Sequence, residues 1–242
     1  MGSGKYGALT GAMTRMRLLE NINRNLANAQ TASYKKGMAV FEAQLDEARA
    51  TRDGLPTNYA LIGKEEIDFT PGQLNHTGVP THLAINNQGF FRVQLENGDI
   101  AYARGGSFHR NRNGEMINDE GAKLLAAGDN PLVLNSDNFS VSSDGSVLID
   151  GQLSGTIPLY DFADKSGMHR VKGGYFLATG NSVATQVENP DIAQGYLEGS
   201  NVNVMQETAR MVYAQRVFEA AQKALLSFDE MDRKLSDLGN VQ

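Results

Sequence analysis

The last forty or so residues constrain the fold more than any other stretch of the chain. Between Asn201 and Leu238 there is no Pro and no Gly, so nothing interrupts a helix. Apolar residues recur there at steps of three and four, with one longer gap, which places them on one helix face. They are Met211, Ala214, Phe218, Ala221, Leu225, Phe228, Leu235 and Leu238. Such a helix, about 36 residues and roughly 55 Å long, requires a partner of similar length.

The N-terminal segment offers that partner. Residues 5–28 carry a second apolar series spaced by three and four: Leu9, Met13, Met16, Leu19, Ile22 and Leu26. We expect the two terminal helices to pair as a coiled coil. The alternative is that each is an ordinary core helix. Ser200, Asn201 or Asn203 is expected to cap the start of the C-terminal helix, and Gly239 to follow its end.

The middle of the chain has the pattern of a β domain. From about residue 61, short runs of Val, Ile, Phe and Tyr alternate with turn residues, which favours antiparallel strands in a sandwich or barrel-like arrangement. Three pairs favour hairpins with positive φ: Asn97-Gly98, Asn113-Gly114 and Asp144-Gly145. The predicted fold class is therefore α+β, with an all-β domain inserted between long terminal helices that form a coiled coil.

This pattern predicts five segments along the chain. Residues 1–30 are the N-terminal helix, 31–64 an extended arm, 65–187 the β domain, 188–200 a return linker and 201–242 the C-terminal helix. Within the arm, residues 41–52 are compatible with a short helix or with little regular structure. The role of residues 36–64 is not evident from the sequence.

The composition excludes several kinds of chemistry. The chain has no cysteine, so disulfides, thiol catalysis and Cys-based zinc sites are ruled out. His76, His82, His109 and His169 lack paired-ligand spacing, and no nucleotide-binding or nucleophile motif is present. We therefore expect no catalytic residue, no metal, no cofactor and no small-molecule substrate. The protein is not expected to be an enzyme.

The charge distribution bears on possible partners. The net charge is −6, although the first 36 residues are basic and contain Glu20 as their single acidic residue. A transit peptide or membrane-surface helix is a minor alternative for this segment. No basic stripe interleaves with aromatic residues, so nucleic acid is not an expected partner.

Two terminal motifs and the stretches between them resemble the bacterial flagellar rod and hook family. After the first helix, NLANAQTASYK is similar to the family's N-terminal motif, through Asn25, Asn28, Thr31, Tyr34 and Lys35. Near the end, QGYLEGSNV resembles the C-terminal motif, through Gln194, Gly195, Leu197, Glu198, Ser200, Asn201 and Val202. The blocks GQLNHTGVPTHLAINNQGFFRV and VSSDGSVLIDG also resemble the family's β domain. The resemblance extends over nearly the whole chain.

The chain departs from the family pattern at three places. The family commonly has Pro-Gly before the aromatic residue of the first motif, where this chain has Ala32-Ser33. Thr81-His82 stands where Leu-Asp is common, and Ala103-Arg104 where Thr-Arg is common. We expect the turn before Tyr34 to be shaped differently, and the local role of His82 is left open.

The resemblance implies a structural subunit of the basal-body rod, of the proximal type, with the distal rod protein or a related hook-basal body subunit as the alternative. It implies helical self-assembly that transmits torque, with other copies, neighbouring rod proteins and the flagellar type III export apparatus as partners. It also implies a periplasm-spanning location reached without a cleaved signal peptide. A different alternative is a surface or tail-type binding module, for which Tyr102, Phe108, Tyr160 and Tyr175 are the candidate aromatic residues.

Overall fold

The computed structural model describes residues 2–45, 58–171, 174–180 and 182–239. The chain divides into two compact units. Unit 1 contains Met1–Ala29, Lys36–Asp68 and Val202–Gln242, and unit 2 contains Gln30–Lys35 and Phe69–Asn201. Leu235 and Leu238 lie on the C-terminal helix, but their side chains are outside the described residues.

The described residues form two helices and many short strands. The helices are α1 (Gly2–Ala27) and α2 (Val204–Gly239). The first nine strands are β1 (Gly37–Leu45), β2 (Asn58–Ile67), β3 (Leu74–His76), β4 (Leu83–Ile85), β5 (Phe90–Gln94), β6 (Ile100–Ala103), β7 (Phe108–Arg110), β8 (Met116–Asn118) and β9 (Lys123–Leu124). The others are β10 (Phe139–Val141), β11 (Ser146–Ile149), β12 (Gln152–Thr156), β13 (Leu159–Phe162), β14 (Met168–Arg170), β15 (Phe176–Ala178), β16 (Ala184–Gln186), β17 (Ile192–Gln194) and β18 (Tyr196–Glu198).

Unit 1 combines the two helices with a long β-hairpin. Strands β1 and β2 pair antiparallel, with a register shift between Val40 and Phe41. Residues 41–45 are strand rather than helix, and the remainder of the candidate helix over 41–52 lies outside the described residues. Arg24 of α1 donates to Glu65 of β2 over 2.8 Å. The hairpin therefore contacts α1 within unit 1.

Unit 2 is an antiparallel β structure, as its strand pattern predicts. Its largest sheet has the order β14-β15-β6-β5-β9-β8-β7, and β13 joins it by pairing with β5 and β16. Strands β10, β11 and β12 form a second sheet. The returning strands β17 and β18 pair with β4 and β3, which joins the two ends of the β region.

Glycine turns join several of these strands. Gly98, Gly114 and Gly145 have positive φ, whereas the residue before each of them does not, so a hairpin with two positive-φ residues is not formed. The Asp144 side chain instead accepts a hydrogen bond from the Ser146 backbone N–H over 3.0 Å, and this bond lowers the pKa of the Asp144 carboxyl. A Cβ on Gly145 would lie 2.5 Å from the Ile157 carbonyl oxygen, so glycine is required there.

Two apolar groups fill unit 2. The larger surrounds the inner faces of the main sheet, with Leu83, Phe91, Val93, Leu124 and Leu159 fully buried. The smaller is a set of aromatic rings in edge-to-face contact, formed by Phe69, Phe90, Tyr102, Tyr160, Phe162 and Phe176.

The aromatic residues considered for a binding platform are part of this packing. Tyr102 and Tyr160 belong to the smaller group, and burial raises the pKa of the Tyr102 phenol. Phe108 packs against Phe91 in the larger group, where Tyr175 is also buried. Packing therefore accounts for all four rings.

The predicted fold class, a coiled coil of terminal helices with an inserted all-β domain, is wrong. The described chain is mostly antiparallel β-sheet with one helix near each end. Leu9, Met13 and Met16 were expected to face a partner helix, but they are 45%, 52% and 55% exposed.

The physical reason lies on the other side of α1. Its buried side consists of Ala12, Thr14, Asn21, Ile22 and Asn25, at steps close to those of a helix face. A face built mainly from Thr and Asn cannot supply the interlocking apolar side chains of a coiled coil. Within unit 1, helix α1 does contact α2, but it does so largely through small and polar side chains, and Leu9, Met13 and Met16 of its apolar series point outward.

Candidate functional site

In unit 1, the first motif residue, Asn25, binds the start of the hairpin. Its side-chain amide donates to the Gly37 carbonyl over 2.9 Å and accepts from the Gly37 backbone N–H over 3.0 Å. This two-way pairing resembles one rung of a β-ladder. Because Asn25 is almost fully buried, replacing it would leave both polar groups of Gly37 without these partners.

Glu207, in the first turn of α2, also contacts Asn25. The two side chains lie 3.4 Å apart, and Glu207 forms an ion pair with Arg210 over 2.9 Å. The Glu207 side chain is almost fully buried. A carboxylate in the first turn also interacts favourably with the helix dipole. This pair therefore joins the N-terminal motif to the start of α2 within unit 1.

In unit 2, the carboxylate of Glu198 is the centre of a buried charge cluster. Its Oε1 accepts from the Lys35 ammonium over 2.6 Å and from the Gly72 backbone N–H over 2.7 Å. Its Oε2 accepts from the Arg104 guanidinium over 2.7 Å. The side chains of Lys35 and Glu198 are 0% exposed. The cluster brings together residues from both terminal motifs.

The guanidinium of Arg104 is bound by carbonyl groups on its other side. Nη1 donates to Gly89 O over 2.6 Å, and Nη2 donates to Asn87 O over 2.6 Å and to Ile85 O over 3.3 Å. A buried cation needs such partners to offset its lost hydration. Arg104 therefore fixes the loop between β4 and β5 as well as Glu198.

The segment before Lys35 is held in unit 2 by both backbone and ring contacts. The Ser33 backbone N–H donates to Glu198 O over 2.8 Å. Arg170 lies 4.3 Å from the Tyr34 ring centroid and also donates to the Lys35 carbonyl. Ser33 has φ of 57°, in the left-handed region that glycine adopts most easily.

Two other residues of the N-terminal motif form hydrogen bonds where the chain leaves α1. Asn28 donates from its side chain to Arg24 O over 2.8 Å, which satisfies a terminal helix carbonyl. The Thr31 carbonyl accepts from the Tyr34 N–H over 3.3 Å.

The residues of the C-terminal motif have structural partners in their own units. Gln194 binds Val141 N and Pro80 O, and Gly195, with φ of 80°, donates to His82 O. Leu197 pairs with Asn75 in the β18–β3 ladder. Asn201 donates to Thr70 O, Ser200 is half-buried and Val202 is buried in unit 1.

The apolar series of the two helices differ in exposure. On α1, Leu9, Met13 and Met16 are exposed, Leu19 and Leu26 are half-buried and Ile22 is buried. On α2, Ala214 is buried, and Met211, Phe218, Ala221, Leu225 and Phe228 are half-buried. Further apolar side chains of α2 are exposed, including Met205 at 84% and Tyr213 at 68%. Each helix therefore presents apolar surface that unit 1 itself does not cover.

Sequence reasoning did not find several residues of this network. Arg104 was noted only as part of a departure from the family pattern, and Gly37, Arg170 and Glu207 were not singled out. An arginine directly after the apolar run of β6 was the available signal, since a charge at such a position needs a buried partner. Its partner Glu198 is 94 residues away in sequence, so spacing could not identify it.

Two further properties of the described residues bear on function. Within residues 2–45, 58–171, 174–180 and 182–239, no group of three or more His, Cys, Asp or Glu side chains is arranged to hold a metal ion. Neither described helix has the combination of length and apolar character that crossing a membrane requires.

Comparison with known proteins decides the family. The flagellar basal body rod FlgEFG protein C-terminal family matches residues 193–238, and the flagellar hook protein FlgE/F/G D1 domain matches residues 84–149. A flagellar basal-body rod protein FlgG from Buchnera aphidicola subsp. Acyrthosiphon pisum is 32% identical over 254 residues, which cover 95% of this chain and 96% of that protein. The chain belongs to the flagellar basal-body rod family. The resemblance seen in the sequence is confirmed.

Rod proteins with a second name match at similar identity. A flagellar basal-body rod protein FlgF from Mesorhizobium japonicum is 32% identical over 230 residues, covering 90% of both chains. Another FlgF, from Caulobacter vibrioides, is 29% identical over 245 residues, covering 100% of both. Glu198 and Arg104, which form the central ion pair of unit 2, lie inside the two ranges matched by the family.

Proposed function

We infer that this chain is a structural subunit of the flagellar basal-body rod. Its family membership supports this function, and the observation that carries the argument is the exposed apolar surface of the two helices. Leu9, Met13 and Met16 lie at helical spacing on α1 and are about half exposed. Contiguous apolar surface of this kind is typical of a protein interface. In an assembly, contacts with neighbouring subunits would bury these side chains.

The assembly that we propose is a helical one. A contact between two different surfaces of neighbouring copies, repeated along an axis, builds a filament rather than a closed oligomer. The outward faces of α1 and α2 provide two such surfaces. The apolar series of both helices, including Leu235 and Leu238, are the proposed assembly residues; Ile22 and Ala214 are buried in unit 1, so their proposed part is to hold the helices in place. The two terminal motifs are proposed to fix the chain for assembly. Packed in this way, the subunits would transmit torque.

The finer expectations extend this proposal. The partners are other copies of the chain, neighbouring rod proteins and the flagellar type III export apparatus, with no nucleic acid and no small-molecule substrate. The proposed location is the periplasm-spanning part of the basal body, reached without a cleaved signal peptide. The role is structural and not enzymatic. We favour the proximal part of the rod over the distal part, on the sequence of residues 123–162; relatives named FlgF and FlgG are equally identical to the chain.

Met13→Asp tests the assembly surface. Because Met13 is 52% exposed, a carboxylate there is expected to destabilise the isolated chain by only about 1 kcal/mol, from lower helix propensity and partial loss of apolar burial. Burying that carboxylate in an interface costs several kcal/mol. We therefore expect loss of swimming and absence of the variant from purified basal bodies. Phe218→Asp and Leu225→Asp are also expected to block assembly, with unit 2 still folded.

Asn23→Asp is the matched control. Asn23 is an exposed polar residue on the same helix, and the substitution also introduces a carboxylate. We expect this variant to assemble and to support swimming. Normal swimming by the Met13→Asp strain would contradict the proposed surface, as would equal defects in the two variants.

A further inference from the structure

The buried charge cluster of unit 2 contains more cations than carboxylates. Two cations, Lys35 and Arg104, share the carboxylate of Glu198, and the side chains of all three are at most 3% exposed. The two cations are not equivalent. Arg104 follows strand β6 inside Phe69–Asn201, whereas Lys35 ends the short segment Gln30–Lys35, which has unit 1 residues on both sides in sequence.

The other groups of the cluster keep hydrogen-bond partners of their own when Lys35 is removed. Glu198 keeps Arg104 on one oxygen and the Gly72 N–H on the other. The Thr70 carbonyl, which Lys35 also binds over 2.8 Å, accepts in addition from the Asn201 side chain over 3.1 Å. Removing Lys35 therefore leaves a balanced, hydrogen-bonded ion pair. Removing Glu198 would leave two buried cations without a carboxylate, a much larger penalty.

We propose that Gln30–Lys35 is a latch that closes on a preformed Arg104–Glu198 pair and opens without unfolding the core of unit 2. This device goes beyond the structural role inferred above and does not depend on it. Opening the latch releases Gln30–Lys35 from Glu198, while the sheets of unit 2 keep their apolar core.

The contacts that hold the latch suit local opening. They include polar contacts, namely Ser33 N–H to Glu198 O, the Asn201 N–H to Tyr34 O over 3.3 Å, and Arg170 on Tyr34 and Lys35. Tyr34 is the one large apolar side chain of the segment, and it is buried. Segments held by few apolar contacts open at lower free energy than the core around them. On this proposal, the latch opens as a cooperative unit separate from the core.

Hydrogen exchange of the full-length chain, followed peptide by peptide, tests this inference with Lys35→Met. Because the variant loses a buried charge-assisted hydrogen bond, exchange in the peptide containing Ser33 should accelerate roughly 10- to 100-fold. Peptides from β5 and β9 in the core should exchange at the wild-type rate. Lys36→Met is the matched control, because Lys36 pairs with Asp68 in unit 1, and it should leave the Ser33 peptide unchanged.

A second pair of variants measures the asymmetry. Glu198→Gln should accelerate exchange in the core peptides as well, and adding Lys35→Met to it should slow that exchange again by removing one uncompensated cation. Two results would overturn the latch: equal acceleration of latch and core peptides in Lys35→Met, or no acceleration of the Ser33 peptide. The first would make Gln30–Lys35 an integral part of the core.

Discussion

At the scale of single residues, Ser33 occupies a backbone conformation that its side chain does not favour. Its φ of 57° is left-handed, a region that costs an L-residue roughly 1–2 kcal/mol relative to the right-handed one. The resemblance implies that glycine is common at this place in the family, where this chain has a serine. The Ser33 hydroxyl recovers little, since its contact with Glu198 O is 3.4 Å long.

Ser33→Gly should therefore stabilise the protein. Relief of the left-handed strain exceeds the added freedom that glycine gives the unfolded chain, so we expect a gain of about 0.5–1 kcal/mol in the free energy of unfolding, measured in urea. Ser33→Ala keeps the strain and loses the hydroxyl, so it should give no gain. A glycine variant no more stable than the alanine variant would show that the strain is absent.

The terminal motifs could be recognised from the sequence, but their physical roles could not. Lys35 and Glu198 were both identified as motif residues, whereas their ion pair joins positions 163 residues apart. A single sequence does not show which residues that are far apart in the chain are close in space. The departure at Ala32-Ser33 led to the expectation of a turn with a different shape. The structure places Ser33 in the left-handed region that glycine adopts most easily, so the expected difference stays a prediction.

At the scale of elements, the start of α2 was predictable because a helix N-terminus has a local chemical signature. Asn203 was one of three candidate caps, and its side-chain oxygen accepts from the Gln206 N–H over 3.1 Å. Its carbonyl accepts the first helical hydrogen bond, from the Glu207 N–H, over 2.9 Å. Both donor and acceptor lie within four residues, so the sequence narrowed the cap to three neighbouring candidates, and the structure identifies Asn203.

Asn203→Ala should destabilise α2. Loss of a side-chain cap costs about 1 kcal/mol, which should lower the thermal midpoint of the helical circular dichroism signal. Asn203→Asp keeps an acceptor at the same place and adds a favourable charge at the helix start, so its midpoint should equal or exceed that of the wild type. If the alanine variant melts with the wild type, Asn203 is not the cap.

The error in the fold class also belongs to this scale. Leu9, Met13 and Met16 were interpreted as buried because they share a helix face, but Thr14, Asn21 and Asn25 follow the same helical period on the side that is buried. A hydrophobic period identifies a face and not what covers it. The antiparallel strands of unit 2 were predicted more reliably, because alternation and turn residues are local signals.

At the scale of the whole molecule, the two units differ in how far their apolar side chains are buried. The main sheet of unit 2 has fully buried apolar side chains, such as Phe91 and Leu124. The helices of unit 1 instead carry exposed methionines, with Met13 at 52%, Met16 at 55% and Met205 at 84%. A rod subunit explains this contrast, because its helix surfaces are covered when copies assemble.

Methionine oxidation is the measurement that tests this account most directly. Brief peroxide treatment of the free chain and of purified basal bodies, followed by mass spectrometry, reports the exposure of each methionine. Met116 and Met168, almost fully buried in unit 2, serve as internal controls that should resist oxidation in both samples. We predict that Met13, Met16 and Met205 are oxidised in the free chain and protected in the basal body. Equal oxidation of these three methionines in both samples would contradict the assignment of the helix faces as assembly surfaces.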